Sequence, residues 1–350
     1  MIFDLPDELS AGEPPEQRGL ARDRVRLLVA QPGGTEHAHF ADLAGFLAPG
    51  DLVVVNTSAT LAAAVEGTRE DGRSVTVHFS TALDDGTWLV EVRPRVDATG
   101  PVPDAVAGER IALAIGVGLT LLAPQRGSDR LWSADVTVEG DVETYLARHG
   151  RPITYSYVRD RPPIDAYQTV FARDPGSAEM PSAGRPFTAE LVTSLVSAGV
   201  GVAPITLHTG VSSLEEGEPP LRERYRVPAS TARLVNLTRA SGGRIVAVGT
   251  TVTRALETVA HVDGWVAAGS GWTDLVLGPQ RPARVVDGLI TGWHAPGASH
   301  LLLLESVAGA DLVASAYQEA LVERYLWHEF GDSCLLLPER RRLGVHRAAA

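Results

Sequence analysis

The stretch Gly50-Asp51-Leu52-Val53-Val54-Val55-Asn56 reads as a turn followed by a continuously apolar, β-branched run. The run is too short for a helix and has no polar alternate face. It therefore predicts a strand buried on both sides, the kind found in sheets covered by helices. Just upstream, Val25 to Ala30 predicts a second strand and Phe40 to Leu47 a helix. Downstream the pattern changes. From residue 61 to about 145, short apolar stretches alternate with turn signals. Asp71-Gly72 and Asp85-Gly86 sit between candidate strands, and Asp-Gly suits the two-residue hairpin turns whose twist matches paired strands. Further strands are expected at Arg110–Ala114, Gly118–Ala123 and Leu131–Val136. Strands at this spacing predict a small antiparallel barrel or sandwich. A short helix then ends at Gly150.

From about residue 150 to 337 the alternation becomes strand and helix. Thr188 is placed to cap a helix that Gly199 ends, and Ile245–Val248 runs through Gly249 into a helical segment. The fold class is therefore α/β, with an antiparallel β domain inserted early. The expected division is residues 1–58 plus 151–338 for the α/β domain, 59–150 for the insert and 339–350 for a basic tail.

Composition narrows the function. The chain has 350 residues, enough for about two domains. Its net charge is −12, and all 31 basic residues are arginine. Without lysine there is no Schiff base, lysine general base or P-loop. The acidic balance argues against a broad nucleic-acid surface, although local arginine clusters remain: Arg151, Arg159 and Arg161; Arg222 and Arg224; and Arg340 to Arg342. Each cluster can equally be a solvated face. The single cysteine, Cys334, excludes an internal disulfide. No apolar run reaches membrane-spanning length and the N-terminus lacks a signal-peptide pattern, so a cytoplasmic protein without a membrane partner is expected.

Ligands of α/β domains gather beyond the C-terminal ends of strands. Four places qualify. Gly249, Thr250 and Thr251 open a helix and can hold an anion through backbone N–H groups and hydroxyls, with Arg254 one turn on. The alternatives are a simple threonine cap and an Arg254–Glu257 pair. His208 ends one strand segment, and Asp287 and His294 flank another. The segment Asp165 to Ala172 offers Tyr167 and Gln168, the latter able to read a base edge or merely end a strand. His37 and His39 lack companion ligands, so no metal site is expected.

Taken in order, Phe3 to Arg18, Gly50 to Asn56, Asp165 to Ala172, Gly176 to Thr188, Thr206 to Gly210, Val246 to Glu257, Val285 to His294 and the final Gly331-Asp332 resemble the S-adenosylmethionine:tRNA ribosyltransferase-isomerase family nearly end to end. The resemblance implies an α/β-barrel-like main domain carrying an inserted antiparallel β-barrel domain. It implies transfer and isomerisation of the ribosyl part of S-adenosylmethionine onto 7-aminomethyl-7-deazaguanine in tRNA, giving epoxyqueuosine. S-adenosylmethionine would be a substrate, with no cofactor. The partners would be S-adenosylmethionine and the tRNA anticodon arm, met by Arg151, Arg159, Arg161, Arg222 and Arg224, and the chain is expected to be a monomer. His208, His294 and Asp287 become the catalytic candidates. Gly249, Thr250, Thr251, Arg254, Tyr167, Gln168, Gly184 and Asn56 become the substrate-binding ones, and His208 and His294 are expected to share a pocket.

The sequence also departs from the family pattern. Arg185-Pro186 stands where the family has Leu-His, and Thr57-Ser58-Ala59 where it has Asp-Thr-Arg. No histidine precedes Glu223, Ser212-Ser213-Leu214 replaces Gly-Thr-Phe, and Gly292-Trp293-His294 replaces Asn-Phe-His. These changes keep open a same-fold enzyme acting on a small-molecule acceptor, and a non-catalytic binding protein.

Overall fold

The computed structural model describes residues 1–95, 100–128, 130–211 and 221–339. The expected basic tail lies outside them from Arg340 onward, as do Ser212 to Leu214. Leu52–Asn56 is an interior strand of a nine-stranded mixed sheet. It pairs in parallel with Gly201–His208 on one side and Ile245–Val248 on the other. Beyond Ile245–Val248 come Gly288–Thr291, Ser333–Leu336, Arg26–Gln31 and Gly34–His39; beyond Gly201–His208 come Glu223–Val227 and Gly269–Thr273. Both faces are buried, as the uninterrupted valine run requires. Leu52 and Val54 point into one core with Ile205, Ala247, Leu256 and Leu304. Val53 and Val55 point into the other with Phe40, Phe187, Leu191 and Leu335.

Helices cover the sheet: Ala189–Ser197, Ala229–Ala240, Gly249–Thr258, Ser299–Ala308 and Ala310–Val322. Thr188 caps the first by accepting from the Leu191 N–H at 3.1 Å, and Gly199 leaves it at φ +81°. No single helix among the described residues is long and apolar enough to cross a membrane. The helix expected near Phe40 to Leu47 is a 3-10 helix, Phe40–Phe46.

The inserted unit is a closed six-stranded antiparallel barrel. Its strands, in order around it, are Leu131–Thr137, Trp88–Pro94, Ser74–Ala82, Ala64–Arg69, Arg110–Leu113 and Gly118–Pro124. Both Asp-Gly pairs do lie in hairpin loops, but the loops are longer than two residues. Arg69 N–H donates to Arg73 O, and Leu83 N–H to Thr87 O. Only the glycines, Gly72 and Gly86, take positive φ, both +86°. Each aspartate instead turns inward to accept a backbone N–H two residues on, from Arg73 and from Thr87. The side chain thus supplies the turn that a left-handed aspartate would otherwise have made.

Candidate active site

The strands Gly201–His208, Ile245–Val248 and Gly288–Thr291 all end at one cavity of about 350 Å³. Its floor is the turn into the helix Gly249–Thr258. Gly249 sits at φ +90°, and a Cβ there would stand 3.3 Å from the Ala183 Cβ, so the tight turn needs glycine. Val248 caps this helix without a side-chain bond. The N–H groups of the first turn and the Thr250 and Thr251 hydroxyls therefore face the cavity as an anion-binding end.

One wall carries imidazoles. His294 stacks on His300 with ring centroids 4.7 Å apart and planes 5° from parallel. His294 Nε2 lies 3.0 Å from the Thr291 hydroxyl, and its backbone N–H donates to the Tyr317 hydroxyl at 3.2 Å. Burial drives the His294 pKa well down and lowers that of His300 to about 4, so both rings are neutral. Tyr155, Tyr157 and His328 also line the cavity, together with Glu179 and Glu329. The Tyr155 hydroxyl donates to the Glu179 carboxylate. Burial, and secondarily the Glu179 charge, raises Glu329 to about 8. At the rim, Glu223 is raised by burial to about 7, although the Arg254 guanidinium donates to it and pulls the other way.

The barrel holds one lining residue in place. Val211, directly after the loop that ends the strand Gly201–His208, donates its N–H to Ser80 Oγ at 3.0 Å. Its carbonyl accepts from Arg130 Nη2 at 3.4 Å. Both Ser80 and Arg130 belong to the barrel side, so the cavity is shaped by both units.

A queuosine biosynthesis protein family model matches residues 1–336. The S-adenosylmethionine:tRNA ribosyltransferase-isomerases of Symbiobacterium thermophilum and Moorella thermoacetica are 38% and 37% identical to the chain. Each alignment covers 96% of this chain and 98% or 99% of the relative. The crystal structure of S-adenosylmethionine tRNA ribosyltransferase from Thermotoga maritima superposes with a TM-score of 0.53 at 29% identity, over 96% of this chain and 99% of that one. The chain belongs to the queuosine biosynthesis protein family.

The structure gathers part of the expected set of this family member around the cavity: Gly249, Thr250, Thr251, Arg254 and His294. Arg254, however, is already committed. Besides Glu223, it donates to the carbonyls of Leu275 at 3.2 Å and Leu221 at 3.1 Å, so its fork ties the rim together. Glu257 does not pair with it; that carboxylate accepts the N–H groups of Arg284, Val285 and Val286.

Four expectations are corrected. His208 does not line the cavity with His294. Its Nδ1 bonds Ser58 Oγ at 2.7 Å, and Ser58 bonds Ser177 Oγ at 2.6 Å, a polar cluster on the far side of the strand end. Asp287 sits at the other end of its strand from His294, where its carboxylate accepts the Ile245 N–H at 3.0 Å and splices two strands together. Gln168 follows a 3-10 helix, Ile164–Tyr167, and spends its paired donor and acceptor on the backbone of Thr60, at 2.8 and 3.0 Å. Tyr167 is buried edge-on against Phe330, 5.1 Å between centroids.

Gly184 packs behind Ala183 against Thr169. Asn56 clasps Leu207 from both sides, at 2.8 and 3.0 Å, and its amide also reaches the Thr251 hydroxyl at 3.4 Å, so it supports the anion end from below. Among the expected RNA contacts, Arg151 pairs with Glu66 at 3.0 Å. Arg159 is anchored through its backbone to Gly12, and Arg161 is exposed. Arg222 and Arg224 both lie over Trp272, at 5.5 and 5.2 Å, and Arg224 also pairs with Asp84 of the barrel.

Glu179, Glu223, Glu329, His300 and His328 were not singled out from sequence. The available signal was weak: Glu179 is the one acid in the small-residue stretch Gly176 to Gly184, and His328-Glu329 interrupts an otherwise aromatic and apolar run.

Proposed function

We propose that this cavity is where S-adenosylmethionine is bound and its ribosyl group transferred. The chain is a ribosyltransferase-isomerase of tRNA queuosine synthesis. The observation that carries the placement is the coincidence of an open helix N-terminus with a wall of neutral imidazoles in one cavity of about 350 Å³. The methionine carboxylate belongs on the N–H groups and hydroxyls of Thr250 and Thr251. A sulfonium acidifies the adjacent C5′–H, and neutral His294, oriented by Thr291, is the base within the cavity best placed to take that proton. A strongly depressed pKa makes His294 a weak base, but it guarantees that the accepting form is present at neutral pH. The acceptor amine must also be neutral, and a buried cavity lined by neutral imidazoles favours that form. S-adenosylmethionine is consumed as a substrate, and no cofactor is part of this reading.

The anticodon arm would approach over the rim at Arg222, Arg224 and Trp272, the exposed cation–aromatic patch nearest Leu221 and Glu223. The test is incubation of the purified chain with labelled S-adenosylmethionine and tRNA carrying the aminomethyl-deazaguanine base. Adenine release that needs this tRNA, and that falls at least a hundredfold in His294→Ala, is expected. One observation favours a second reading, a small-molecule acceptor. The chain carries a net charge of −12, and Arg254 and Arg224 are already neutralised by Glu223 and Asp84. Turnover with the free nucleobase but not with tRNA would select it.

A further inference from the structure

The aromatic wall has a feature that carboxylate binding and proton abstraction leave unused. Tyr155 and Tyr157 stack at 5.8 Å and 12°, and Tyr157 stacks on His328 at 4.4 Å and 21°. His328 holds this position at φ +71°, in the left-handed region that histidine enters more readily than most side chains. Its neighbour Glu329 lines the same cavity, and its Oε2 has no hydrogen-bond partner in the protein.

We propose that the Tyr157–His328 stack and the Glu329 carboxyl form a slot for a purine-type heterocycle, with the rings as the stacking face and the carboxyl as the reading edge. The proposal rests on the cavity being the site of ribosyl transfer, and the heterocycle is the adenine of S-adenosylmethionine or the deazaguanine of the acceptor. A purine edge offers a donor beside an acceptor. A neutral carboxyl presents the complementary acceptor and donor, whereas a carboxylate presents acceptors only. The surroundings keep Glu329 neutral. Glu179 repels its charge, and Tyr155 and Tyr157 offer none. Arg185, the one cation acting on it, is engaged by Glu16 at 2.8 Å. Arg22 and Asp332 share the small cleft behind it, and Arg22 is held by the same Glu16 at 3.2 Å. Burial keeps His328 neutral as well.

Binding of adenosine and of 7-deazaguanine, two probes without a titrating amine, decides the matter when measured on the full chain at about pH 6.5 and about pH 9. One probe should bind about tenfold more weakly at the higher pH, as expected one unit above the Glu329 midpoint. That probe names the occupant. Glu329→Gln should keep the low-pH affinity at both values, and Tyr157→Leu should lose about tenfold at both. Binding of both probes that is flat with pH, or a Glu329→Gln variant of undiminished thermal stability that binds as poorly as Glu329→Ala, would overturn the slot. Turnover of S-adenosylmethionine with tRNA, followed separately on the wild type, keeps the two readings apart. Turnover with flat probe binding sinks the slot alone; pH-dependent binding without turnover sinks the activity alone.

Discussion

Glu91 in the barrel and Glu329 in the cavity are both acids shut away from bulk water, and they have opposite fates. Glu91 is 0% exposed, with Arg93 Nε at 2.8 Å, Arg130 Nη1 at 3.1 Å and His78 Nδ1 at 3.6 Å. Burial raises its pKa, but the neighbouring His78 ring, the hydrogen bond from Arg93 and the charges of both arginines prevail and hold it at about 2. Around Glu329 burial prevails, a second acid adds to it, and the group sits at about 8. The barrel neutralises its buried charge with cations. The cavity neutralises its own with protons. Compensated charge marks the place where the structure is fastened, and uncompensated charge marks the place where a ligand is expected.

The hardest test of that contrast is Glu91→Ala. It removes the buried carboxylate that Arg93 and Arg130 share and should cost about 3–5 kcal/mol in denaturant unfolding; a loss under about 1 kcal/mol would erase the distinction. The wild-type contribution of Glu91 is present above the unfolded carboxyl value and should vanish as pH falls through about 2. Next comes Arg254→Met at the rim. It leaves three backbone carbonyls short of a donor, but Glu223 can protonate, so the expected cost is smaller, about 1–3 kcal/mol by the same measurement.

Glu329→Gln should act in the other direction. The folded chain holds this proton up to about pH 8 while the unfolded chain releases it near its ordinary value of 4.5, so wild-type stability falls as pH rises through that window. The variant should flatten the fall and melt about 2–4 °C higher than wild type at about pH 8, with no difference at about pH 4. A variant less stable at both pH values would place Glu329 among the fasteners. The smallest effect is expected from Arg151→Ala, which breaks a half-exposed pair with Glu66. Stability should change by under about 0.5 kcal/mol, and affinity for an anticodon stem-loop should fall less than in Arg222→Ala over a salt series.

Secondary structure was legible where one residue type decides it. The valine run at Val53 to Val55, the Thr188 cap and the Gly199 stop each act locally, and each is found as read. The family resemblance extended this to the whole topology. The site was legible only where backbone geometry makes it, at Gly249 to Thr251. His208 and Asp287 illustrate the limit. Both sit in strand-end motifs, but one turns toward Ser58 and the other lies at the opposite strand end from His294. Which side of a strand end faces the cavity depends on partners more than a hundred residues away. The same holds for Glu329, whose chemistry comes from burial and from Glu179, a residue far from it in the chain.

The strand Ser333–Leu336 lies inside the sheet, parallel to Arg26–Gln31 on one side and antiparallel to Gly288–Thr291 on the other. It has an implication for the order of events during synthesis. The six barrel strands all fall between Ala64 and Thr137 and pair with neighbours close in the chain, so that unit can form while the rest is still being made. The large sheet cannot. The hairpin Arg26–His39 has no place to dock until the strand almost three hundred residues later leaves the ribosome. A stretch of apolar early strand therefore waits unpaired, and the nascent chain's exposure to aggregation is set by how soon residues 333–336 arrive to shelter it.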